Sequence, residues 1–454
     1  MEKTKKYLSL PQKIAYGTGD FGSNFFYMLV SSFALIYMTD AIGLNAGIVG
    51  TLIMISKLLD GITDVFFGNL IDKTNSKMGK ARPWMFFSAF PLVVSMVLIF
   101  AIPTGMGATA QYVWFFIFYT CANALFYTAN NISYATMSAL ITKNDTERVS
   151  LGSFRYVFAV VASIVVSGGT VSIVNSLGGG VAGWRTVAII YAVVLLVFNS
   201  LASLVCKEVP MTEEEIKAEQ QSKVNGNKGS FWTSFKIVLS NKYYLLMLAI
   251  YLLTYTINNL GASVGVYYCQ YILGNAALLG VISMSAFVMI IGLIANPSLV
   301  KRFGMYKVNL VSYIVTVILS IFVAVFAYMG NFVGILIFYF LKAISTSFLM
   351  GSLNALVAEV AQNTYLKHKV HTEGMMFSCS SIGMKLGGGI GAGMVGWLLA
   401  AAGYVGTVDV QPAGVLGMIK FTYGVIPLIL TVLITICLAG MKVVEENQKL
   451  SDQN

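Results

Sequence analysis

The feature that most constrains the fold of this chain is a succession of long apolar stretches. Each has about 20 residues, the length that an α-helix needs to cross the hydrocarbon core of a bilayer. They are centred near residues 28, 56, 93, 125, 163, 195, 256, 286, 317, 344, 388 and 427. The chain is 57% hydrophobic and 11% charged, whereas an average soluble chain is about 25% charged. Because backbone polar groups find no water inside a bilayer, such stretches must form helices. We therefore predict an all-α integral membrane protein with about twelve transmembrane helices.

One long polar segment interrupts this succession at residues 206–236, where a short surface helix is expected to start at Thr212. It divides the chain into an N-terminal six-helix bundle, residues 1–205, and a C-terminal six-helix bundle, residues 237–454. A weak internal sequence similarity supports the division, because the segment Asn296–Gly304 follows the eighth helix in the same way as Gly68–Lys80 follows the second helix. Internal repeats of this kind are typical of transporters whose binding site lies between the halves.

The net charge of +10 is explained by topology. Lys and Arg concentrate in alternate loops, whereas the opposite loops hold little beyond Arg185 and Lys420. Such a bias marks the cytoplasmic side of a membrane protein, so both termini are expected in the cytoplasm, without a cleavable signal peptide. The charge then gives no indication of nucleic-acid binding. The five cysteines lie in or beside apolar segments without paired spacing, which indicates packing residues and not disulfides or metal ligands.

Charged side chains inside the second helix are the main indication of function. Asp60 and Asp64 are four residues apart and share one helical face, with Lys57 and Thr63 beside them. An ionised side chain at the centre of a membrane helix costs about 2.5–3.5 kcal/mol even on the mildest scale. An ion pathway is therefore the default hypothesis for this cluster.

Other helices contribute polar side chains for which structural roles are also open. Asp20 and Asn24 share a face of the first helix, and Asp20 could equally cap a helix or pair with a neighbour. The polar face of the fourth helix could join helices, while Arg155 and Lys342 could extend to the membrane surface. Lys385 has no such alternative, and the two carboxylates of the second helix are its expected partners across the interface between the halves.

Several motifs of this chain occur together in one known family. The most specific is Asp60-Gly-Ile-Thr63-Asp64, followed by Gly68, Asp72 and Gly79-Lys80-Ala-Arg82-Pro83-Trp84. Secondary motifs are Tyr16-Gly-Thr-Gly-Asp20, Asn131-Ile-Ser-Tyr134, Arg155 and Lys385-Leu-Gly387. In these motifs, which extend over essentially the whole chain, the sequence resembles the glycoside–pentoside–hexuronide:cation symporters, the group of major-facilitator transporters that includes the melibiose and glucuronide permeases. The resemblance implies a major-facilitator fold.

The resemblance also implies a cation site and a substrate site. The cation-binding residues would be Asp60, Thr63, Asp64 and Thr128, with Asp60 and Asp64 as metal ligands if the cation is Na⁺. The substrate-binding residues would be Asp20, Asn24, Tyr127, Asn131, Tyr134, Arg155 and Lys385, and the charge-coupling residues Lys57 and Lys385. Thr63 replaces an asparagine of the melibiose permease, which leaves Na⁺ and H⁺ both open. Asn24 and Asn131 replace carboxylates, which favours an anionic glucuronide, although asparagine also suits a neutral xyloside.

The expected function is therefore cation-coupled import of a sugar or glycoside by alternating access. A lipid or lysolipid carrier of the same fold is the alternative, which the polar face of the fourth helix argues against. The sequence has no Ser/His/Asp set, HExxH spacing or phosphate loop, so an enzyme is not expected. We expect no cofactor beyond the coupling ion, a monomeric carrier, and a location in the cell membrane, as in the inner membrane of bacteria.

Overall fold

The computed structural model of the chain describes residues 6–74, 76–142, 144–209, 238–368, 373–408 and 410–452. Apart from one isolated bridge between Ser76 and Gly79, its regular elements are helices. The helices are α1 (Leu10–Ala41), α2 (Ala46–Lys73), α3 (Arg82–Ile99), α4 (residues 108–140), α5 (Asp145–Ser176), α6 (Gly180–Val205), α7 (Lys242–Tyr271), α8 (Leu278–Phe303), α9 (Met305–Met329), α10 (Phe332–His368), α11 (Glu373–Ala401), α12 (residues 413–440) and α13 (Val443–Asp452).

Twelve of these helices, α1 to α12, are long and apolar enough to cross a membrane, which confirms the predicted number. In the first half, α1 packs against α5 and α6, and α3 packs against α6. In the second half, α7 packs against α11 and α12, and α9 packs against α10. The halves meet where α2 crosses α11, α1 crosses α7 and α5 crosses α8. The predicted connector is described only up to residue 209, so the surface helix expected from Thr212 lies outside the described residues.

Glycines set the close crossing of α2 and α11. A Cβ atom added at Gly396 would lie 2.4 Å from the carbonyl oxygen of Ala46, and one at Gly393 would lie 3.2 Å from that of Gly50. At Gly389 it would lie 3.2 Å from the Cβ of Lys57. Small residues let membrane helices approach to this distance. The glycine-rich sequence of α11 therefore fixes the register that brings the charged part of α2 opposite α11.

Three of the spans contain short π-helical segments, at Tyr37–Ala41 in α1, Cys121–Tyr127 in α4 and Phe421–Val425 in α12. An inserted residue of this kind shifts the helical face on which later side chains lie and often occurs at functional sites. The segment in α4 ends directly before Thr128, one of the predicted cation ligands.

The loop between α2 and α3 is held by the segment that follows α6. The carboxylate of Glu208 accepts hydrogen bonds from the backbone N–H groups of Lys80, Ala81 and Arg82 at 2.8, 2.9 and 3.0 Å. The Arg82 guanidinium in turn donates to the carbonyl oxygen of Ser203 at 2.7 Å. These contacts satisfy the otherwise unpaired N–H groups at the start of α3, and they anchor the loop to α6.

Candidate cation and substrate site

A three-membered ion cluster lies inside the membrane region, between the two halves. The Lys385 ammonium on α11 lies 2.8 Å from Asp60 Oδ2 and 2.8 Å from Asp64 Oδ1, both on α2. It also donates a hydrogen bond to the backbone carbonyl of Asp60 at 3.1 Å. The side chains of Asp60, Asp64 and Lys385 are 15, 24 and 20% exposed, respectively. The predicted pairing of Lys385 with both carboxylates is therefore present in the structure, and it joins the two halves.

Two threonines contact Asp60 from different sides. The Thr128 hydroxyl on α4 donates to the Asp60 carboxylate, and it also lies 3.0 Å from the carbonyl oxygen of Asn123. Because a hydroxyl carries one proton, it can serve only one of these acceptors at a time. The Thr63 hydroxyl donates instead to the backbone carbonyl of Asp60 at 3.0 Å. Thr128 thus completes the carboxylate cluster, whereas the hydrogen bond of Thr63 is directed along α2.

Lys57 lies one turn before Asp60 and is buried. Its ammonium is 5.4 Å from the centroid of the Tyr27 ring on α1, a geometry in which the ring face attracts a cation. Lys57 is therefore held toward α1 and brings a second positive charge close to the carboxylate cluster.

A second polar group lies among α1, α4 and α5. Arg155 Nε is 3.3 Å from Asp20 Oδ1, and another guanidinium nitrogen donates to Asn131 Oδ1 at 3.4 Å. The side-chain amide of Asn24 donates to the backbone carbonyl of Asp20 at 2.8 Å. Asp20 on α1 therefore pairs with a residue of a neighbouring helix and does not cap a helix. Arg155 pairs inside the bundle and does not extend to the membrane surface. These four predicted substrate residues lie together.

The two predicted tyrosines differ in position. Tyr134 is fully buried, stacks on Tyr16 with ring centroids 4.6 Å apart, and donates its hydroxyl proton to the Tyr16 carbonyl at 2.7 Å. The Arg155 guanidinium lies 4.9 Å from the centroid of the Tyr134 ring. The Tyr134 ring therefore supports Arg155. Tyr127 is only partly buried, and its ring centroid lies 5.1 Å from that of Phe26.

One charged residue with a clear structural role, Asp40, was not singled out by the sequence. It lies at the end of α1 that the charge rule places outside the cell, here called the outer face. Its two carboxylate oxygens accept hydrogen bonds from the hydroxyls of Tyr404, at 2.5 Å, and Tyr271, at 2.7 Å. Thr39 and Tyr267 add a hydroxyl pair at 3.1 Å between α1 and α7. The sequence signal for Asp40 is a lone acid at the end of an apolar stretch. Because they join the two halves, the following residues are together called the outer latch: Thr39, Asp40, Tyr267, Tyr271 and Tyr404.

The oxygens of Asp60, Asp64 and Thr128 are hard ligands of the kind that alkali and alkaline-earth cations prefer. No group of three or more His, Cys, Asp or Glu side chains in the described part of the chain is arranged to hold a metal ion. Chemically, the arrangement can exchange one cation for another, because the Lys385 ammonium lies between two carboxylates that could instead contact an ion.

Twelve membrane helices in two groups, with ion pairs between the groups inside the membrane, define the class of membrane carriers. Residues 15–443 match the family described as MFS/sugar transport protein. The chain belongs to this family, and the predicted kinship with the sugar–cation symporters of the major facilitator superfamily is confirmed. It is a multi-pass membrane transporter and not an enzyme.

Several curated relatives match the chain over most of its length. The isoprimeverose transporter of Lactiplantibacillus pentosus is 27% identical over 429 residues, 94% of this chain and 87% of the relative. A putative glycoside/cation symporter of Escherichia coli is 27% identical over 98% of this chain and 93% of its own length. A putative sulfoquinovose importer of Salmonella typhimurium is 28% identical over 90% of this chain and 85% of its own length.

Solved structures share the fold at lower sequence identity. The nucleoside transporter NupG superposes with a TM-score of 0.64 at 12% identity, covering 95% of this chain and 99% of that one. A D-xylose–proton symporter superposes with a TM-score of 0.65 at 13% identity, covering 94% and 97%. At these identities the likeness concerns the fold, which is that of the major facilitator superfamily as predicted.

Proposed function

We propose that this protein is a symporter that imports a sugar or glycoside together with one species of coupling cation, Na⁺ or H⁺. The observation that carries the proposal is the Asp60–Lys385–Asp64 cluster, which places two carboxylates and a displaceable ammonium between the halves. The names of the three relatives support it, since they are a transporter of isoprimeverose, a glycoside/cation symporter and a sulfoquinovose importer.

In this proposal the cation binds to Asp60, Asp64 and Thr128. As it enters, the Lys385 ammonium leaves the carboxylates. The Thr128 hydroxyl then turns its proton to the Asn123 carbonyl, 3.0 Å away, and offers a lone pair to the cation. If the cation is H⁺, the same step protonates one of two carboxylates whose mutual repulsion favours protonation. Thr63 would join as a ligand only after releasing its bond to the Asp60 carbonyl.

The sugar binds between the halves. Arg155, Asn131 and Asn24 supply hydrogen-bond donors and acceptors for its hydroxyls, and Tyr127 supplies a partly exposed ring. The guanidinium is fixed by Asp20 and by the buried Tyr134 ring, so little side-chain entropy is lost when a sugar binds. An anionic glucuronide or hexuronide and a neutral xyloside are the substrate classes that suit this set.

Coupling follows from the charge of the site. With the cation absent, Lys385 offsets the carboxylates and the empty carrier can reorient. With the cation and the sugar bound, the two halves rock and the outer latch opens and closes. One positive charge that moves through a membrane potential of 100 mV contributes about 2.3 kcal/mol, enough to concentrate a sugar about 50-fold. Both termini are assigned to the cytoplasm of a bacterium, and the carrier acts as a monomer.

The proposal is tested by uptake into proteoliposomes. The panel contains a glucuronide, a β-xyloside, an α-galactoside and a lysolipid, each with an imposed Na⁺ gradient, a pH gradient or neither. Saturable accumulation of one glycoside that follows one of the gradients is the expected result, and it identifies the coupling ion. A glycoside that only equilibrates under every gradient would contradict cation coupling.

A lysolipid carrier remains the second candidate because of one apolar cavity of about 720 Å³ between α8, α9 and α10. Its lining includes Val311 and Leu341, whose side chains are exposed on the outside of the C-terminal half. An acyl chain suits such a surface. The cavity contains none of the carboxylates of the ion cluster, however, so it offers no means of coupling. Accumulation of the lysolipid without any glycoside would favour this alternative.

A further inference from the structure

A cavity of about 340 Å³, lined by both polar and apolar side chains, lies against α5, the helix that carries Arg155. Its lining comes from α7, α8, α9, α10 and α12 of the C-terminal half and from Tyr156 of α5 in the N-terminal half. Tyr156 directly follows Arg155, and its hydroxyl donates to the carbonyl of Ala286 on α8 at 3.0 Å. The cavity therefore lies at the interface between the halves, next to the helix that carries Arg155.

Lys342 on α10 is the charged residue of this cavity. Asn258 and Thr346 also line it, while none of its described lining residues is acidic. The ammonium of Lys342 makes no hydrogen bond or ion pair with another described residue. It also borders a second, small cavity of about 30 Å³ that Tyr423 lines as well. Lys342 thus lines two cavities with an ammonium whose three donors no described residue satisfies.

The other cations of the central region differ from Lys342 in this respect. Arg155 has Asp20, Lys385 has Asp60 and Asp64, and Lys57 lies over an aromatic ring. A cation without a counter-charge inside a membrane helix bundle is unfavourable. A neutral sugar would leave that cost in place, whereas a ligand that carries a negative charge removes it.

We propose that Lys342 is an anion-binding residue of this interface cavity and holds the carboxylate or sulfonate group of an anionic glycoside. The proposal rests on the proposed function and goes beyond it by assigning the charge of the substrate to a residue in the C-terminal half. Arg155 and the asparagines of the N-terminal half then bind the hydroxyls of the sugar, while Asn258 and Thr346 flank its anionic end. A substrate held by both halves favours the closed carrier.

The test compares wild-type protein with Lys342→Gln, which removes the charge, and Lys342→Arg, which keeps it. The matched control is Lys420→Gln, because Lys420 lies at the outer face, where its ammonium donates to the Tyr328 carbonyl at 3.0 Å. The probes are methyl β-glucuronide, methyl β-glucoside and the 6-sulfonate analogue of the glucoside. Each probe is titrated calorimetrically into protein in nanodiscs, and its gradient-driven uptake is then measured in proteoliposomes.

We expect wild-type protein to bind an anionic probe more tightly than the glucoside. Lys342→Gln should weaken that binding at least tenfold and change glucoside binding less than twofold, while Lys342→Arg and Lys420→Gln retain the preference. The anion is identified by which probe, the glucuronide, the sulfonate or both, binds more weakly to Lys342→Gln than to wild-type protein. Equal weakening of charged and neutral probes, or no preference for an anion in wild-type protein, would overturn the proposal. Binding without gradient-driven uptake would instead contradict the proposed symport.

Discussion

Removal of the Lys385 ammonium should tighten binding of the coupling cation. Lys385 Nζ lies 2.8 Å from one oxygen of each carboxylate, and each contact has a gross attraction of about 6 kcal/mol at an effective dielectric constant of about 20. Desolvation of the three groups offsets much of this attraction. If about a quarter of the attraction of one contact opposes cation entry, the competition amounts to about 1.5 kcal/mol, which is a factor of about ten in affinity.

The assay is calorimetric titration of Na⁺, with choline as the replacement ion, and of H⁺ without Na⁺, into wild-type and Lys385→Gln protein in nanodiscs. The variant should bind the coupling cation at least tenfold more tightly. Lys420→Gln, which removes a lysine at the outer face, should bind it as the wild type does. Cation affinity that stays within twofold for both ions, or falls, would refute the competition between Lys385 and the cation.

The same variant should separate exchange from accumulation. Without Lys385, the empty carrier holds an uncompensated carboxylate charge inside the membrane, which is costly to carry through the conformational change. Exchange of labelled for unlabelled substrate, with the cation bound throughout, should therefore persist. Gradient-driven accumulation should fall at least tenfold. An equal loss of both activities would indicate instead that Lys385 binds the sugar or maintains the fold.

Three further predictions concern the carboxylates and the contacts between the halves. Asp64→Asn should abolish the dependence of uptake on the cation gradient, because one carboxylate is lost; uptake that still follows the gradient would contradict the proposed site. Asp40→Asn replaces the charged acceptor of two tyrosine hydroxyls, whose hydrogen bonds contribute about 1.5–3 kcal/mol each. The population with an open outer face should therefore rise more than tenfold, as measured by the distance between spin labels on the α3–α4 and α11–α12 loops. An unchanged distance distribution would argue against the latch. Gly396→Ala places a methyl group 2.4 Å from the Ala46 carbonyl oxygen and should reduce uptake at least tenfold by preventing closure, whereas Gly414→Ala, which points into open space, should not; equal uptake by both variants would exclude this role of the crossing.

Much of the fold can be predicted from the sequence, because the interior of a bilayer offers no hydrogen-bond partners to the backbone. Each membrane span must satisfy its own backbone hydrogen bonds, so helices are specified locally and their number follows from the length of the apolar stretches. The same solvent makes charged residues conspicuous. The sequence alone therefore indicates Asp60, Asp64, Arg155 and Lys385 as candidate functional residues, and the local spacing places the two carboxylates on one face of α2.

The partners of these residues were decided by tertiary packing. Lys385 and Asp60 are 325 positions apart, and they meet because the glycines of α11 fix its register against α2. Packing also made Tyr134 a buried support for Arg155 and gave Asp40 its two tyrosines from the other half. It left Lys342 facing a cavity. Charge and helical spacing are properties of the chain, but pairing, burial and isolation depend on which helices cross and at what depth, and only the assembled bundle determines that.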